Sequence, residues 1–241
     1  LLTLEDSWGD GWNGNSFCIN DNCTTLFSGS YGTEEFCVNL DIENPITCGG
    51  GDWQSEVFWI LSNSDGTNLA TGGAPFEGCV GGSCENEIVE SFQFNDNGEI
   101  REYYLYIPSS IQDNAPLVFV LHGYSGSAGG IMGYSGMNEV ALQNGFAVCY
   151  PQGLSDESGY NFWNVGYEFH NNQTVNDVNF LSSLANYLQD EYSLSVENTF
   201  STGMSNGGDM SYMLGCQAND VFRGIAPVAG TMMERIYNTC D

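Results

Sequence analysis

The pattern of apolar and polar residues changes about a third of the way along the chain. Before residue 85, short apolar runs alternate with Gly, Asn and Asp residues, and this alternation predicts β-strands joined by turns. The runs cover residues 1–4, 16–19, 35–40 and 56–61. We therefore expect residues 1–85 to form a small, disulfide-rich all-β domain, most simply a β-sandwich.

After residue 86, the pattern is that of strands alternating with helices. Residues 116–121 are continuously apolar, which is typical of a strand buried on both faces of a mostly parallel sheet. Residues 135–144 predict a helix, and a capping box at residues 174–177 opens the longest one. This alternation predicts that residues 86–241 form a doubly wound α/β sheet, joined to the first domain by a linker over residues 72–90.

The cysteines indicate an oxidising compartment. Six of the nine lie in the first 84 residues, an even number in a loop-rich segment, which favours a disulfide framework over a zinc site. They are Cys18, Cys23, Cys37, Cys48, Cys79 and Cys84. The two pairs Cys18/Cys23 and Cys79/Cys84 would close short loops, although the sequence leaves the pairing open. Cys149 lies in an apolar run and is predicted to be a free thiol in the core.

The charge balance is strongly acidic, with 31 Asp and Glu residues against 3 Lys and Arg residues and a net charge of −28. Such a surface repels nucleic acid and anionic membranes. An acidic surface is compatible with high salt or with bound divalent cations, and it also increases solubility by itself. The sequence does not decide between these explanations. No signal peptide or membrane-spanning segment stands out, so we interpret the chain as a mature secreted form. Asn22 and Asn172 begin sequons for N-glycosylation.

A loop near the N-terminus carries candidate metal ligands. Residues 6–15 resemble a D-x-x-G-D-G-W-N-G motif of small extracellular β-domains. Short oxygen-bearing side chains bent by glycines suit a hard cation such as Ca²⁺, and the candidate ligands are Asp6, Asp10, Asn13 and Asn15. The alternative is a set of Asx-turns that only fold the loop.

The strongest candidate for chemistry is Ser205. It lies in the sequence Gly203-Met204-Ser205-Asn206-Gly207, between a predicted strand and a predicted helix, as in a nucleophile elbow. The turn is so tight that a Cβ atom at Gly203 or Gly207 would meet neighbouring backbone. The helix N-terminus behind the serine would stabilise negative charge.

Residues from about 100 to 241 resemble the secreted esterase family of polyhydroxybutyrate depolymerases and feruloyl esterases, within the α/β-hydrolase superfamily. The resemblance rests on segments whose order and spacing match, and it does not cover the first 85 residues. These segments are residues 116–123, 145–153, 162–164, 175–180, 201–208 and 222–230.

The resemblance implies roles for particular residues. Ser205 would attack the ester, and the backbone amides of Tyr124 and Asn206 would form the oxyanion hole. His122, in the turn before Tyr124, shapes that loop and with Trp163 would line the substrate site. The resemblance also implies a disulfide between Cys216 and Cys240, and it implies no cofactor for catalysis.

The chain departs from this family in its catalytic triad. Members complete the triad with an Asp and a His after the nucleophile, but the two histidines here, His122 and His170, both precede Ser205. We interpret His170 as a solvated loop histidine and Asp177 as a helix cap. Residues 225–228 predict a strand with a free edge. We therefore expect the triad Asp and His outside this chain, either in a continuation past Asp241 or in a partner chain that covers the edge.

Three functions remain open at this stage. The preferred one is a secreted serine ester hydrolase that acts on polyester or on feruloyl or polysaccharide esters, with an ester-containing polymer as its partner. The alternative is a catalytically inactive extracellular structural or filament subunit that reuses the hydrolase scaffold. The third is a calcium-dependent adhesive domain that carries the hydrolase part.

Overall fold

The structure is a computed structural model that describes residues 1–84, 89–108, 111–238 and 240. The chain divides into two compact units. One consists of Leu1–Glu90 with Gly129–Gly136, and the other of Ser91–Ala128 with Met137–Asp241. The domain boundary predicted between residues 85 and 86 lies outside the described residues and stays a prediction.

Apart from the helical residues within Gly129–Gly136, the first unit is built of β-strands. It contains two four-stranded antiparallel sheets, in the orders β4-β1-β6-β7 and β3-β2-β5-β8. The strands are β1 Leu2–Asp6, β2 Ser16–Ile19, β3 Asn22–Thr24, β4 Tyr31–Glu34, β5 Asn44–Gly49, β6 Val57–Ser62, β7 Asn68–Gly73 and β8 Phe76–Val80, with a 3₁₀ turn at Gln54–Glu56 before β6. Alternate residues of β1, β2 and β5 are buried, as period-2 patterning requires, and both sheets contribute to one apolar core around Trp59.

Two sequence predictions for this unit are wrong. Residues 35–40 form no strand, because the residues that pair with β1 are those of β4, directly before them in the chain. Residues 72–73 and 76–80 of the predicted linker at residues 72–90 belong to the strands β7 and β8. The glycines there serve packing: a Cβ atom on Gly72 would lie 2.7 Å from the Trp59 ring. A glycine-rich stretch therefore marks close approach to an aromatic ring rather than a flexible connection.

The predicted cysteine framework is confirmed in part. Cys18–Cys23 and Cys79–Cys84 are disulfides, as the short spacings indicated. A third bridge within this unit does not form: Cys37 is an exposed free thiol and Cys48 is a buried one. Burial raises the pKa of the Cys48 thiol to about 12, so it behaves as a small apolar core residue. Cys149 is also buried and free, as predicted.

The second unit is an α/β unit built on a six-stranded sheet in the order β16-β15-β11-β12-β10-β9. The neighbours β16, β15, β11 and β12 are parallel, while β10 is antiparallel to β12. The strands are β9 Glu90–Asp96, β10 Glu99–Tyr106, β11 Leu117–Leu121, β12 Ala147–Pro151, β15 Thr199–Met204 and β16 Gly224–Val228, with a small hairpin of β13 Leu154–Ser155 and β14 Asn161–Phe162.

The helices explain why the central strands are apolar. The helices are α1 Ala128–Ser135, α2 Met137–Asn144, α3 Asp177–Glu191, α4 Asn206–Gln217 and α5 Glu234–Tyr237. The strand β12 is buried at all five positions, and α3 buries one apolar face. The helix predicted over residues 135–144 is confirmed as α2, which begins at Met137 because Gly136, with φ 62°, separates it from the additional helix α1. Within the described residues, every helix is too short or too polar to cross a membrane.

Candidate active site

Ser205 occupies a sharp turn between β15 and α4. Its backbone has φ 53° and ψ −117°, a region that non-glycine residues rarely adopt, and its side chain is exposed. A Cβ atom on Gly203 would lie 2.6 Å from the Gly207 carbonyl oxygen, and one on Gly207 would lie 2.3 Å from that of Leu121. Both flanking glycines are therefore required by close backbone contact. The arrangement is that of a nucleophile elbow.

The neighbouring strand brings a second loop beside the serine. β11 pairs in parallel with β15, and its last residue, Leu121, is in register with Gly203. The turn at His122–Tyr124 therefore begins where Ser205 is presented. A Cβ atom on Gly123 would lie 3.6 Å from the Ser205 Cβ atom. The absence of a side chain at Gly123 keeps the space next to the nucleophile open for a reacting group.

Two backbone amides are positioned to stabilise an oxyanion. Asn206 is the first residue of α4, where the N–H groups have no partner within the helix and carry the positive end of its dipole. Tyr124 follows Gly123 in the adjacent loop. That loop is held by its next two residues, since the Ser125 amide donates to the Asn161 carbonyl (2.8 Å) and the Asn161 side chain donates to the Gly126 carbonyl (2.9 Å).

His122, predicted to line the substrate site, holds the loop from inside the protein. It is 1% exposed. Its Nε2 atom accepts a hydrogen bond from the Gly153 amide (2.9 Å), so Nδ1 carries the proton and donates to the Gly123 carbonyl (2.7 Å). Burial lowers the pKa of His122 to about 4, which keeps the ring neutral.

Trp163, also predicted to line the substrate site, is fully buried. Its indole N–H donates to the His122 carbonyl (2.9 Å), and its ring packs 5.0 Å from the imidazole ring. Its backbone N–H and carbonyl are both bonded to the side chain of Asn206. Trp163 therefore connects the His122 loop to the elbow, and its side chain offers no surface to a substrate.

His170 is buried, which corrects its interpretation as a solvated loop residue. Its Nε2 atom lies 3.1 Å from a carboxylate oxygen of Asp156, and Tyr124 donates its hydroxyl to the same oxygen. Rings of Tyr124, Phe162, Tyr167 and Phe169 surround the imidazole. Burial opposes ionisation of Asp156, but hydrogen bonds from Tyr124, the Tyr160 amide and His170 lower its pKa to about 2.

Neither histidine is hydrogen-bonded to Ser205, and both lie among the described residues. The two ring nitrogens of His122 are bonded to Gly153 and Gly123. His170 is bonded to Asp156 through Nε2, and its buried Nδ1 atom has no hydrogen-bond partner. A general base must lie within hydrogen-bond reach of the hydroxyl that it deprotonates. Among the described residues, no histidine is therefore in place to act as a base toward Ser205.

The residues that form this site lie within a segment that matches a family profile. Residues 101–239 match the profile of the family described as esterase PHB depolymerase, which is more than half of the chain. The chain belongs to this esterase family. The residues of the match include Ser205, its elbow glycines and the His122–Tyr124 turn.

Individual relatives are similar at moderate identity. The chain is 27% identical to feruloyl esterase D of Neurospora crassa, over 66% of the chain and 55% of that protein. It is 29% identical to feruloyl esterase B of Thermothelomyces thermophilus (59% and 48%) and 26% identical to poly(3-hydroxyalkanoate) depolymerase C of Paucimonas lemoignei (65% and 38%). The chain spans about half the length, or less, of these curated relatives.

Solved structures agree on the fold. The acetyl xylan esterase from Aspergillus awamori superposes with a TM-score of 0.52 at 24% identity, over 63% of this chain and 56% of that one. An S-formylglutathione hydrolase from Agrobacterium tumefaciens gives a TM-score of 0.50 at 14% identity, over 58% and 57%. The second unit therefore has the α/β-hydrolase fold of this esterase family, as the sequence predicted.

Asp177 is not a helix cap. It is the first residue of α3, whose N-cap is Asn176; the Asn176 side chain accepts from the Asn179 amide (3.0 Å). The Asp177 carboxylate is buried and bonded to Arg101 (2.8 Å) and to the Asn164 amide (2.7 Å). Asp177 therefore forms a structural ion pair between β10 and α3.

Sequence reasoning missed several residues that support the site. Gln152 accepts from the Ala128 amide (2.9 Å), Asp156 anchors Tyr124 and His170, and Asp209 accepts from the Thr231 amide (2.6 Å) and the Tyr167 hydroxyl. They lie in loops or helix ends that carry no motif of their own. Among these residues, only Asp209 had an indication in the sequence. It lies in the first turn of the helix after the elbow, where a carboxylate interacts favourably with the helix dipole.

The remaining predicted site residues are distributed over the surface and the first unit. Cys216, in α4, and Cys240 form the expected disulfide. Asn22 and Asn172 are both exposed, so each sequon is accessible. The carboxylates of Asp6 and Asp10 lie together, with Glu56 as the third member, whereas the side chain of Asn15 is bonded to the backbone of Trp12, Gly51 and Asp52. Asn13 donates to Asp10 (3.1 Å).

Proposed function

We propose that this chain is the nucleophile-bearing part of a secreted serine carboxylic-ester hydrolase. The observation that carries the proposal is the exposed, strained Ser205 beside the His122–Tyr124 turn. The three disulfides suit an oxidising, extracellular compartment. In this proposal the triad Asp and His lie outside the described residues, because neither His122 nor His170 is hydrogen-bonded to Ser205.

The proposed reaction follows from this geometry. The Ser205 hydroxyl attacks the ester carbonyl, and the external histidine accepts its proton and later gives it to the departing alcohol. The amides of Tyr124 and Asn206 bind the oxyanion of the tetrahedral intermediate. Loss of one such donor typically costs about 3–4 kcal/mol of transition-state stabilisation. The buried hydrogen bonds of His122 and Asn206 hold both donor loops in place before substrate arrives.

The substrate class is proposed from the relatives. The names of the similar proteins are feruloyl esterases, acetylxylan esterases and a poly(3-hydroxyalkanoate) depolymerase. We therefore propose an ester carried by a polymer, either a polyester or a feruloylated or acetylated polysaccharide. In this proposal the acidic surface, with its net charge of −28, disfavours strongly anionic polymers as substrates.

Labelling with a fluorophosphonate tests the proposal. The longest natural protein that contains this chain is expected to be labelled at Ser205, whereas Ser205→Ala is not. Ser158→Ala, at an exposed serine of a neighbouring loop, is the matched control and keeps full labelling. Hydrolysis of methyl ferulate, acetylated xylan and poly(3-hydroxybutyrate) then identifies the ester. Labelling that persists in Ser205→Ala would overturn the proposal.

The second candidate is an inactive structural subunit. It is favoured by one observation, that neither histidine of the chain is bonded to Ser205. Among the described strands, β16 pairs only with β15, so the other edge of β16 is available for assembly. Absence of labelling in the longest natural protein, with self-association seen by light scattering, would support this candidate instead.

A further inference from the structure

Three carboxylates converge at one end of the first unit. Oxygen atoms of Asp6, Asp10 and Glu56 all lie within 4.8 Å of one another. Asp6 is 3% exposed, Glu56 is half-buried and Asp10 is exposed, so the cluster opens to solvent on one side. Like charges at this spacing repel each other, so the arrangement needs a fold that imposes it together with either a proton on one carboxyl group or a cation that joins the three.

The fold does impose the geometry, through residues far apart in sequence. Asp6 ends β1 and is in register with Val57, the first residue of the antiparallel strand β6. Glu56 directly precedes Val57, and its carbonyl accepts from the Ser7 amide (3.2 Å). Asp10 returns to the same place because the loop after β1 turns back at Gly9 and Gly11, with φ 80° and 94°.

Asp6 has an unused oxygen in this cluster. Its Oδ1 atom accepts from the backbone amides of Trp8, Gly9 and Asp10, which fixes the side chain in one orientation. Its Oδ2 atom is buried and has no hydrogen-bond partner. Buried polar atoms are almost always paired, because leaving one unpaired costs free energy. An oxygen held rigidly without a partner beside two other carboxylates has the arrangement of a metal ligand.

The electrostatics point in the same direction. The described part of this unit, residues 1–84, 89–90 and 129–136, contains no Lys, Arg or His to neutralise the cluster. A bound divalent cation would remove both the repulsion and the unpaired oxygen.

We propose that Asp6, Asp10 and Glu56 form a Ca²⁺ site that fixes the loop after β1. Three carboxylates and no nitrogen or sulfur donor are a ligand set for hard cations, and the open side leaves room for water ligands. The site differs from the one expected from the motif, since Glu56 takes the place of Asn13 and Asn15. Glu56 lies about forty residues beyond the motif and is brought to it only by the β1–β6 pairing.

Calcium titration of the full chain after treatment with chelator tests the proposal. Calorimetry is expected to give one specific site, with a Kd of roughly 0.1–1 mM, as in extracellular calcium modules. Ca²⁺ is also expected to raise Tm. Glu56→Gln and Asp10→Asn are expected to weaken the Kd by about tenfold or more, by analogy with losses around other metal sites. Glu77→Gln removes the same charge from an exposed position of β8 and is the control.

The control matters because a protein of net charge −28 attracts cations in general. Titrations are therefore run at constant ionic strength, so that screening does not imitate binding. The proposal stands if Glu56→Gln and Asp10→Asn lose the Ca²⁺-dependent rise in Tm while Glu77→Gln keeps it. It is overturned if all three variants respond to Ca²⁺ as the unmodified protein does, or if none of the proteins, unmodified included, responds.

A second measurement does not depend on whether the variants fold. Tb³⁺ occupies oxygen-rich Ca²⁺ sites, and its emission is excited through a nearby indole ring. Trp8 and Trp12 lie in the loop that the site would fix, and the Trp12 indole donates to the Glu5 carbonyl (2.8 Å). We expect tryptophan-sensitised Tb³⁺ emission from the unmodified protein, displaced by Ca²⁺ but not by NaCl at equal ionic strength. Absence of this emission would overturn the proposal.

Discussion

The side-chain amide of Asn206 forms two hydrogen bonds with the backbone of Trp163. Its oxygen accepts from the Trp163 amide (2.7 Å), and its nitrogen donates to the Trp163 carbonyl (3.0 Å). Through these bonds Asn206 connects the turn at Ser205 to Trp163, whose indole N–H donates to the His122 carbonyl. The position of Ser205 and the position of the His122–Tyr124 turn are therefore coupled.

Replacing Asn206 with Ala is expected to destabilise the fold. The change leaves the buried N–H of Trp163 without a partner, which costs about 1–3 kcal/mol in the free energy of unfolding, while the Trp163 carbonyl keeps its hydrogen bond from the Val165 amide (3.0 Å). Urea unfolding followed by tryptophan fluorescence measures this loss. Asn219→Ala, at an exposed position after α4, is the control and is expected to change little. Equal stability of the two variants would contradict the coupling.

Replacing Gly207 with Ala is expected to cost about 3 kcal/mol or more, because the new Cβ atom meets two backbone carbonyls, 2.3 and 2.5 Å away. Neither carbonyl is able to move without displacing the end of β11. Gly145→Ala is the matched control: its φ is 72°, but an added Cβ atom meets nothing within 4 Å. For the control, we expect a loss of only about 1–2 kcal/mol in the free energy of unfolding, because a residue with a Cβ atom is strained in this left-handed backbone conformation. A similar loss in both variants, from thermal unfolding, would argue against the contact.

Removing one partner of the buried Arg101–Asp177 pair is expected to destabilise the fold more than removing both charges. Arg101→Met leaves an uncompensated buried carboxylate and is expected to cost about 3–5 kcal/mol. Adding Asp177→Asn removes that charge while still offering an acceptor to the Asn164 amide. The double variant is therefore expected to recover part of the stability. The exposed Arg223→Met is the control, and a double variant no more stable than Arg101→Met would refute the argument.

Acid is expected to destabilise the second unit through His122. Its pKa is about 4 in the folded protein and about 6.5 when unfolded, so between these values only the unfolded chain binds the proton. Stability is then lost as pH falls from about 6.5 to about 4, by up to roughly 1.4 kcal/mol per pH unit from this group. The ring resonances of His122 in NMR spectra check the cause directly. A titration midpoint near 6.5 in the folded protein would contradict it.

Much of the second unit could be predicted from local patterns. The run of β11 and the apolar stripe of α3 follow from periodicity, and the elbow glycines follow from the crowding of a strand-to-helix turn. The sequence did not indicate which polar residues would be buried. His170 and Asp177 both lie in hydrophilic surroundings along the chain, yet the fold covers the first with aromatic rings and pairs the second with Arg101.

The amino-acid sequence by itself determined the tight strand-to-helix turn at Ser205 and the α/β class, and it indicated the two short disulfides, because each depends on residues close together in the chain. Only the tertiary structure decided that His122 is locked by Gly153, that Asn206 bridges to Trp163, and that Glu56 joins Asp6. These contacts are set by strand register and by loop paths between distant segments. Local sequence propensity does not predict these contacts, since the same residues would form turns or solvated surface if other strands were paired.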